Sequence, residues 1–171
     1  MNKKTTLHFF SGKMAAGKST LAKQLAKEEN AILLIEDEWL KELYPEEIQT
    51  IPDYLKYSAR LKIVIKKLVM SLLTDGVSVV MDFPANTKGQ REWFREIFEQ
   101  LDVPHTLHFV DKSDEVCKKQ LRQRSKNLPE SSAFTSEKEF DMITKYFQTP
   151  LDDENFNMQR YEEDVSSKEI N

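Results

Sequence analysis

The stretch Gly12-Lys13-Met14-Ala15-Ala16-Gly17-Lys18-Ser19 decides the fold. It has the form G-x-x-x-x-G-K-[ST], a loop whose backbone N–H groups wrap the phosphates of a nucleoside triphosphate. Glycine at both ends lets the backbone turn tightly and approach the phosphates. Lys18 can reach the β/γ oxygens, and the Ser19 hydroxyl can coordinate Mg²⁺. Thr20 completes the candidate nucleotide-binding run. The flanks agree with the motif: Thr6-Leu7-His8-Phe9-Phe10 is short and apolar like a buried strand, and Leu21, Ala22, Leu25 and Ala26 recur at helical spacing.

Working outward, apolar strand-like runs alternate with helical patterns. Ala31 to Ile35 is continuously apolar, as in a parallel strand buried on both faces, and it runs into Glu36-Asp37-Glu38. Trp39, Leu40 and Leu43 suggest a short helix. Residues 54–74 carry apolar positions at helical period and stop at Asp75-Gly76. A third strand, Val77 to Met81, meets Asp82, with loop from Phe83 to Thr87. A helix follows over 88–101, then a strand over 104–110. Ser113 or Asp114 caps the next helix, which runs to about Arg124. Residues 125–137 have loop composition and are the candidate lid. Residues 137–147 read as helix, 156–161 as a last edge strand, and the chain from about Glu162 as a polar, frayed tail. The alternation predicts an open parallel α/β sheet with helices on both faces.

With 171 residues the chain is expected to form one domain, 1–171. Its 25 basic and 29 acidic residues give a net charge of -4, which disfavours duplex binding through a broad basic surface. The apolar stretch after Lys3 and Lys4 ends at Ser11-Gly12, short of a signal-peptide core, and nothing approaches the ~20 apolar residues of a membrane span. The lone Cys117 cannot form an internal disulfide, so a reducing, cytoplasmic setting is expected, with Cys117 a small filler rather than a nucleophile.

In such a sheet the ligand lies beyond the carboxyl ends of the strands, so the residues after each strand converge on the loop. Strand one supplies Lys18 and Ser19, strand two Glu36, Asp37 and Glu38, strand three Asp82, and strand four Asp111. Asp82, after a buried strand, has the form of the acid that P-loop proteins use toward Mg²⁺; the plainer alternative is a loop cap. Asp37 is placed to take a proton from a substrate hydroxyl, the alternative being an acid favoured by a helix dipole. Arg122 and Arg124, just before the lid, could clamp a transferring phosphoryl group or belong to a solvated helix face. His105 and His108 face opposite sides of a strand and His8 stands alone, which speaks against a histidine metal site.

The Gly12 to Thr20 run, the Glu36-Asp37-Glu38 group, the Asp82-Phe83-Pro84-Ala85-Asn86-Thr87 loop ending near Arg91, and the Leu121-Arg122-Gln123-Arg124 helix occur in order. With them the chain resembles the kinase-like AAA-family ATP-binding proteins, a group similar to zeta toxins, the 5′-hydroxyl polynucleotide kinase domain and chloramphenicol phosphotransferase. The resemblance covers about residues 5–160. It implies a P-loop NTPase fold of the nucleoside-kinase-like kind: a three-layer α/β sandwich with a five-stranded parallel sheet, a small arginine-bearing lid, and ATP with Mg²⁺. It also implies Asp37 as general base, and Glu36, Arg60 and Arg91 as substrate-contacting residues, with a structural role as the alternative for the two arginines. The Glu-Asp-Glu group followed by Trp39 departs from the Asp-Asp or Asp-x-Arg patterns of several kinases, so no acceptor carries over.

The leading expectation is therefore an enzyme moving the ATP γ-phosphate to a hydroxyl of a small molecule. A nucleotide-dependent switch and a nucleic-acid 5′-hydroxyl kinase are the alternatives. The absence of an aromatic-rich basic surface disfavours the last, and the absence of G-x-G-x-x-G disfavours a dinucleotide oxidoreductase.

Overall fold

Five short apolar segments pair side by side in the computed structural model, which describes residues 4–129, 132 and 134–163. They are β1 (Leu7–Ser11), β2 (Ile32–Ile35), β3 (Val79–Pro84), β4 (His105–Val110) and β5 (Met158–Tyr161), all parallel, in the order β2-β3-β1-β4-β5. Parallel neighbours require crossovers, and helices supply them: α1 (Lys18–Glu29), α2 (Glu36–Leu43), α3 (Ile51–Thr74), α4 (Lys88–Leu101), α5 (Asp114–Ser125) and α6 (Glu137–Thr144). This is the α/β, P-loop kinase-like fold expected from the sequence.

Local chemistry sets the boundaries. Thr50, Thr87 and Ser136 open α3, α4 and α6 with reciprocal capping boxes to Asp53, Gln90 and Glu139, and Ser113 caps α5. The capping box starts α3 at Ile51, three residues before the expected Tyr54, because Thr50 and Pro52 favour an earlier first turn. β3 begins at Val79 rather than Val77 and continues past Asp82 to Pro84, so Phe83 and Pro84, expected in the loop, belong to the strand. The register between β1 and β3 slips there: Phe9 pairs with Met81 but Phe10 pairs with Pro84. Such a bulge re-aims the strand end where a site is built. α6 ends at Thr144, short of the expected Phe147.

The main core lies on one face of the sheet, where Leu61, Ile65 and Val69 of α3 and Phe94 and Ile97 of α4 pack on Phe9 and Met81. α1 covers the other face with Ala22 and Ala26 against Phe10 and Val80, and Cys117 and Leu121 of α5 meet Phe140 of α6. Cys117 is thus buried filler. His8 is not alone as expected. Its Nδ1 lies 3.0 Å from His108 Nε2, and His108 Nδ1 lies 2.9 Å from the Tyr161 hydroxyl. Burial and the neighbouring His8 bring His108 down to about 4, so it stays neutral inside the sheet. Among the described residues no helix is long and apolar enough to cross a membrane. The expected frayed tail falls largely on 164–171, outside the described residues.

Candidate active site

The loop between β1 and α1 is shaped by three backbone constraints. A Cβ on Gly12 would come 2.8 Å from the Val110 carbonyl oxygen of β4, so only glycine lets the loop pass this close to the sheet. Gly17, which opens α1, has φ 104, and Ala15 has φ 59, in the left-handed region where a side chain costs free energy. The Gly12 N–H donates to Asn86 Oδ1 at 2.9 Å, tying the loop to the segment after β3. Lys18 crosses the loop and donates from Nζ to the Gly12 and Lys13 carbonyls at 2.5 and 2.8 Å. Burial pushes its ammonium down to about 8, against the pull of Asp82.

This loop forms one end of a cavity of about 1030 Å³, whose walls include Lys13 to Thr20, Glu36, Asp37, Asp82, Asn86 and Arg124. Asp37 is in the first turn of α2 and opens to the cavity. Its carboxyl is held above the usual range, first by desolvation and next by Asp82, while Arg124 and Lys18 pull it back. Glu36 is buried and already engaged: Tyr54 donates its hydroxyl at 2.6 Å and Ser58 donates to the other carboxylate oxygen. Its expected place as a substrate contact is therefore shared with a structural one, since both oxygens are occupied by α3.

Two residues apart on α5, the lid arginines separate. Arg124 lines the cavity, and its Nη2 donates to the Phe134 carbonyl at 3.4 Å. Arg122 lies outside the cavity wall, more than half exposed, in an ion pair with Glu137 at the start of α6. As placed, it is a surface tie between the two helices rather than a phosphate clamp. Phe134, in the left-handed region at φ 60, meets the Tyr54 ring edge-on at 5.4 Å. The lid segment is tied to α6 through Glu139, whose carboxylate accepts the N–H groups of Phe134, Thr135 and Ser136. Residues 130, 131 and 133 of the expected lid lie outside the described residues.

Three other expectations change. Asp111 does not join the acids of the cavity, because Arg160 of β5 takes its carboxylate in an ion pair. Arg60 is exposed, with its guanidinium carbon 5.6 Å from the Tyr57 ring centroid, and does not line the cavity. Arg91 is fully buried: Nε and Nη2 donate to Glu154 at 2.7 and 2.8 Å, and Nη1 to the Ala85 and Gln148 carbonyls at 3.1 and 2.9 Å. It is a structural arginine, the alternative its position left open, fully buried in four hydrogen bonds and absent from the cavity walls. Burial would raise the Glu154 carboxyl, but the Arg91 hydrogen bonds outweigh it and hold it below the ordinary value.

Sequence reasoning missed the far wall of the cavity, made by Met142 to Thr144, Tyr146 and Phe147 in and after α6. It also missed the Asn86 bond to the loop. The T-x-x-Q capping signal at Thr87 and Gln90 was a usable sign that Asn86 is held: Gln90 Oε1 accepts the N–H of both Asn86 and Thr87.

Residues 7–150 match the family model described as AAA domain. The chain belongs to that family. Nucleotide binding at the phosphate loop goes with membership. A comparison with curated protein sequences gives no significant match. Among solved structures the AAA-domain chain is similar to a candidate kinase from Chloroflexus aurantiacus, with TM-score 0.73, 15% identity, and coverage of 98% of this chain and 93% of that one. It is also similar to the Mycobacterium tuberculosis APS kinase, with TM-score 0.61, 17% identity, and coverage of 95% and 91%. A gluconokinase from Sinorhizobium meliloti gives TM-score 0.63, 13% identity, and coverage of 95% and 84%. At these identities the likeness speaks to the fold.

Proposed function

We propose that this protein is a phosphotransferase that moves the γ-phosphate of ATP to a hydroxyl of a small molecule. The observation that carries the reading is that Lys18, Asp37, Asp82 and Arg124, from four separate elements, face one cavity. The names of the similar structures, a candidate kinase, an APS kinase and a gluconokinase, support it.

The acceptor oxygen attacks the γ-phosphorus, the bond from that phosphorus to the β,γ-bridging oxygen breaks, and ADP leaves with the bond pair. Asp37 takes the hydroxyl proton, and its raised affinity for a proton suits that task. Loop N–H groups and Lys18 hold the phosphates, while Arg124 meets charge gathering on the transferred group. Ser19 and Asp82 would hold Mg²⁺, which supplies charge neutralisation on the phosphates when bound. The oxygen-only donors suit it. Among the described residues no group of three or more His, Cys, Asp or Glu forms a protein-built metal site, as fits an ion that takes its other ligands from phosphate and water.

A screen of metabolite extract with γ-labelled ATP tests the reading: a labelled acceptor is expected, and release of labelled phosphate alone would turn attention to a nucleotide-dependent switch. The Phe134 contact with Tyr54, which links the lid to Glu36, is the observation favouring that second reading.

Three outcomes follow from the geometry. Arg124→Ala should slow transfer by about 10²-fold with a smaller change in ATP affinity, while Arg122→Ala stays near the parent rate. Equal loss in both variants would contradict their separation. Asp82→Asn should raise the Mg²⁺ concentration needed for half-maximal rate, as a Mg²⁺ titration would show; an unchanged requirement would reduce Asp82 to a loop residue.

The third outcome concerns protons. With the Lys18 ammonium at about 8, a bound triphosphate that stabilises the charged form must draw in a proton. Uptake should be about half a proton per nucleotide at pH 8 and close to zero at pH 6, where Lys18 is already charged, and affinity should fall as pH rises through 8. Calorimetry in buffers of different ionisation enthalpy reads this directly. Uptake unchanged in Lys18→Met would assign it elsewhere.

A further inference from the structure

The cavity is divided by chemistry along its length. Its cationic side chains are Lys13 and Lys18 at the phosphate-loop end, with Lys13 already paired to Asp114 at 2.5 Å, and Arg124, whose Nη2 donates to the Phe134 carbonyl at 3.4 Å. The other end lies between the first turn of α3, the start of α4 and α6. Its walls are apolar: Ile51, Leu55, Phe134, Met142, Tyr146 and Phe147. Leu55, Met142 and Tyr146 are 58%, 42% and 73% exposed, so this apolar surface is open rather than packed away. Glu36, Asp37 and Asp82 also line the cavity.

Beyond Lys13, Lys18 and Arg124, no cationic side chain among the described residues lines the cavity. Arg91 spends its donors on Glu154 and two carbonyls, and Arg60 lies out over Tyr57. Lys62, which feels the charge of Glu36, lies 5.5 Å over the Trp93 ring and outside the cavity walls. An anion entering this end would be desolvated without a partner and would face Asp37 and Asp82. On the phosphotransferase reading, the charges of Lys18 and Arg124 serve the nucleotide phosphates.

We infer that the phosphate acceptor is an uncharged or cationic hydroxyl compound with an apolar, ring-sized body, and that carboxylates and phosphate esters are poor acceptors. The inference rests on the phosphotransferase reading for the word acceptor, but the charge preference belongs to the chamber itself. Apolar walls bury the body, the acids accept hydrogen bonds from hydroxyl or ammonium groups, and aromatic faces at Tyr54 and Tyr146 tolerate a cation.

Three probes on one carbon skeleton test it: 3-phenylpropane-1,2-diol, phenylalaninol and 3-phenyllactate, which are neutral, cationic and anionic at pH 7. Their binding is measured by saturation-transfer NMR to the full chain loaded with a non-hydrolysable ATP analogue and Mg²⁺. The diol and phenylalaninol are expected to bind at least tenfold more tightly than phenyllactate. Phenyllactate binding as tight as the others overturns the inference, and so does failure of all three to bind.

Met142→Arg, at an open position on α6, should tighten phenyllactate binding tenfold or more, and Met142→Leu should keep the parent ranking. Leu55→Arg repeats the test from α3 should the first variant fold poorly. No rescue by a correctly folded arginine variant counts against the inference. Because the readout is binding, absence of transfer with the ranking intact overturns the phosphotransferase reading alone. Efficient transfer to an anionic acceptor overturns the charge preference alone.

Discussion

Asp37→Asn is expected to bind ATP like the parent protein and to transfer its γ-phosphate to a hydroxyl acceptor about 10²–10⁴-fold more slowly, the range for loss of a general base. The change keeps the shape of the side chain and its place in the first turn of α2. It removes one negative charge from a cavity in which desolvation and Asp82 already hold the Asp37 carboxyl high. ATP affinity should therefore hold or improve slightly while transfer falls. The parent rate should also decline on the acid side at a pH above the ordinary carboxylate range, because a base with a raised proton affinity is filled earlier as pH drops. Single-turnover transfer beside calorimetric ATP binding separates the two effects. Undiminished transfer would remove Asp37 from the mechanism and leave Glu38 as the remaining exposed acid of the group.

The largest expected loss of stability is at Arg91. Arg91→Met should destabilise the protein by about 3–5 kcal/mol, because it removes the buried guanidinium that pairs the largely covered Glu154 carboxylate and leaves that charge only the Leu151 N–H. Against the ~5–15 kcal/mol that holds a typical domain together, that is a large share. The effect should reach the site: Arg91 bonds to Ala85 and Gln148, the Gln148 N–H donates to the Asn86 carbonyl, and the Asn86 side chain holds Gly12. Arg91→Met with Glu154→Met should recover most of the lost stability, since removing both charges removes the unpaired one. Urea unfolding of the two single variants and the double variant decides it. Equal destabilisation in single and double variants would mean that the pair is not coupled.

Several parts of this protein were legible from short-range pattern. The loop from Gly12 to Ser19 needs glycine at Gly17, where the backbone turns left-handed, and at Gly12, where a Cβ would come 2.8 Å from the Val110 carbonyl oxygen, so its chemistry is written in consecutive residues. The buried parallel strands show as apolar runs, and α4 and α6 announce their starts through capping residues three apart. These signals depend on neighbours along the chain, and they carried the sheet, the helices, and the reach of Lys18 and Asp82 toward one cavity.

Choices among similar side chains needed the folded molecule. Arg122 and Arg124 are two residues apart on a helix, some 200° around its axis, so only one can face the cavity, and the packing of α5 on α6 selects Arg124. Asp82 and Asp111 both follow apolar strands, yet Arg160, 49 residues further on in β5, takes Asp111 away. Glu154, 63 residues from Arg91, turns an arginine expected near substrate into a buried strut. The apolar wall of α6 and its following turn reaches the site only because the chain folds back over α5. The sequence by itself determined the phosphate-binding chemistry and the α/β layering, because both are signalled by patterns among residues close together along the chain. Which charges remain free to act was decided by the tertiary structure, because a charge is spent on whichever partner the fold brings within hydrogen-bonding distance.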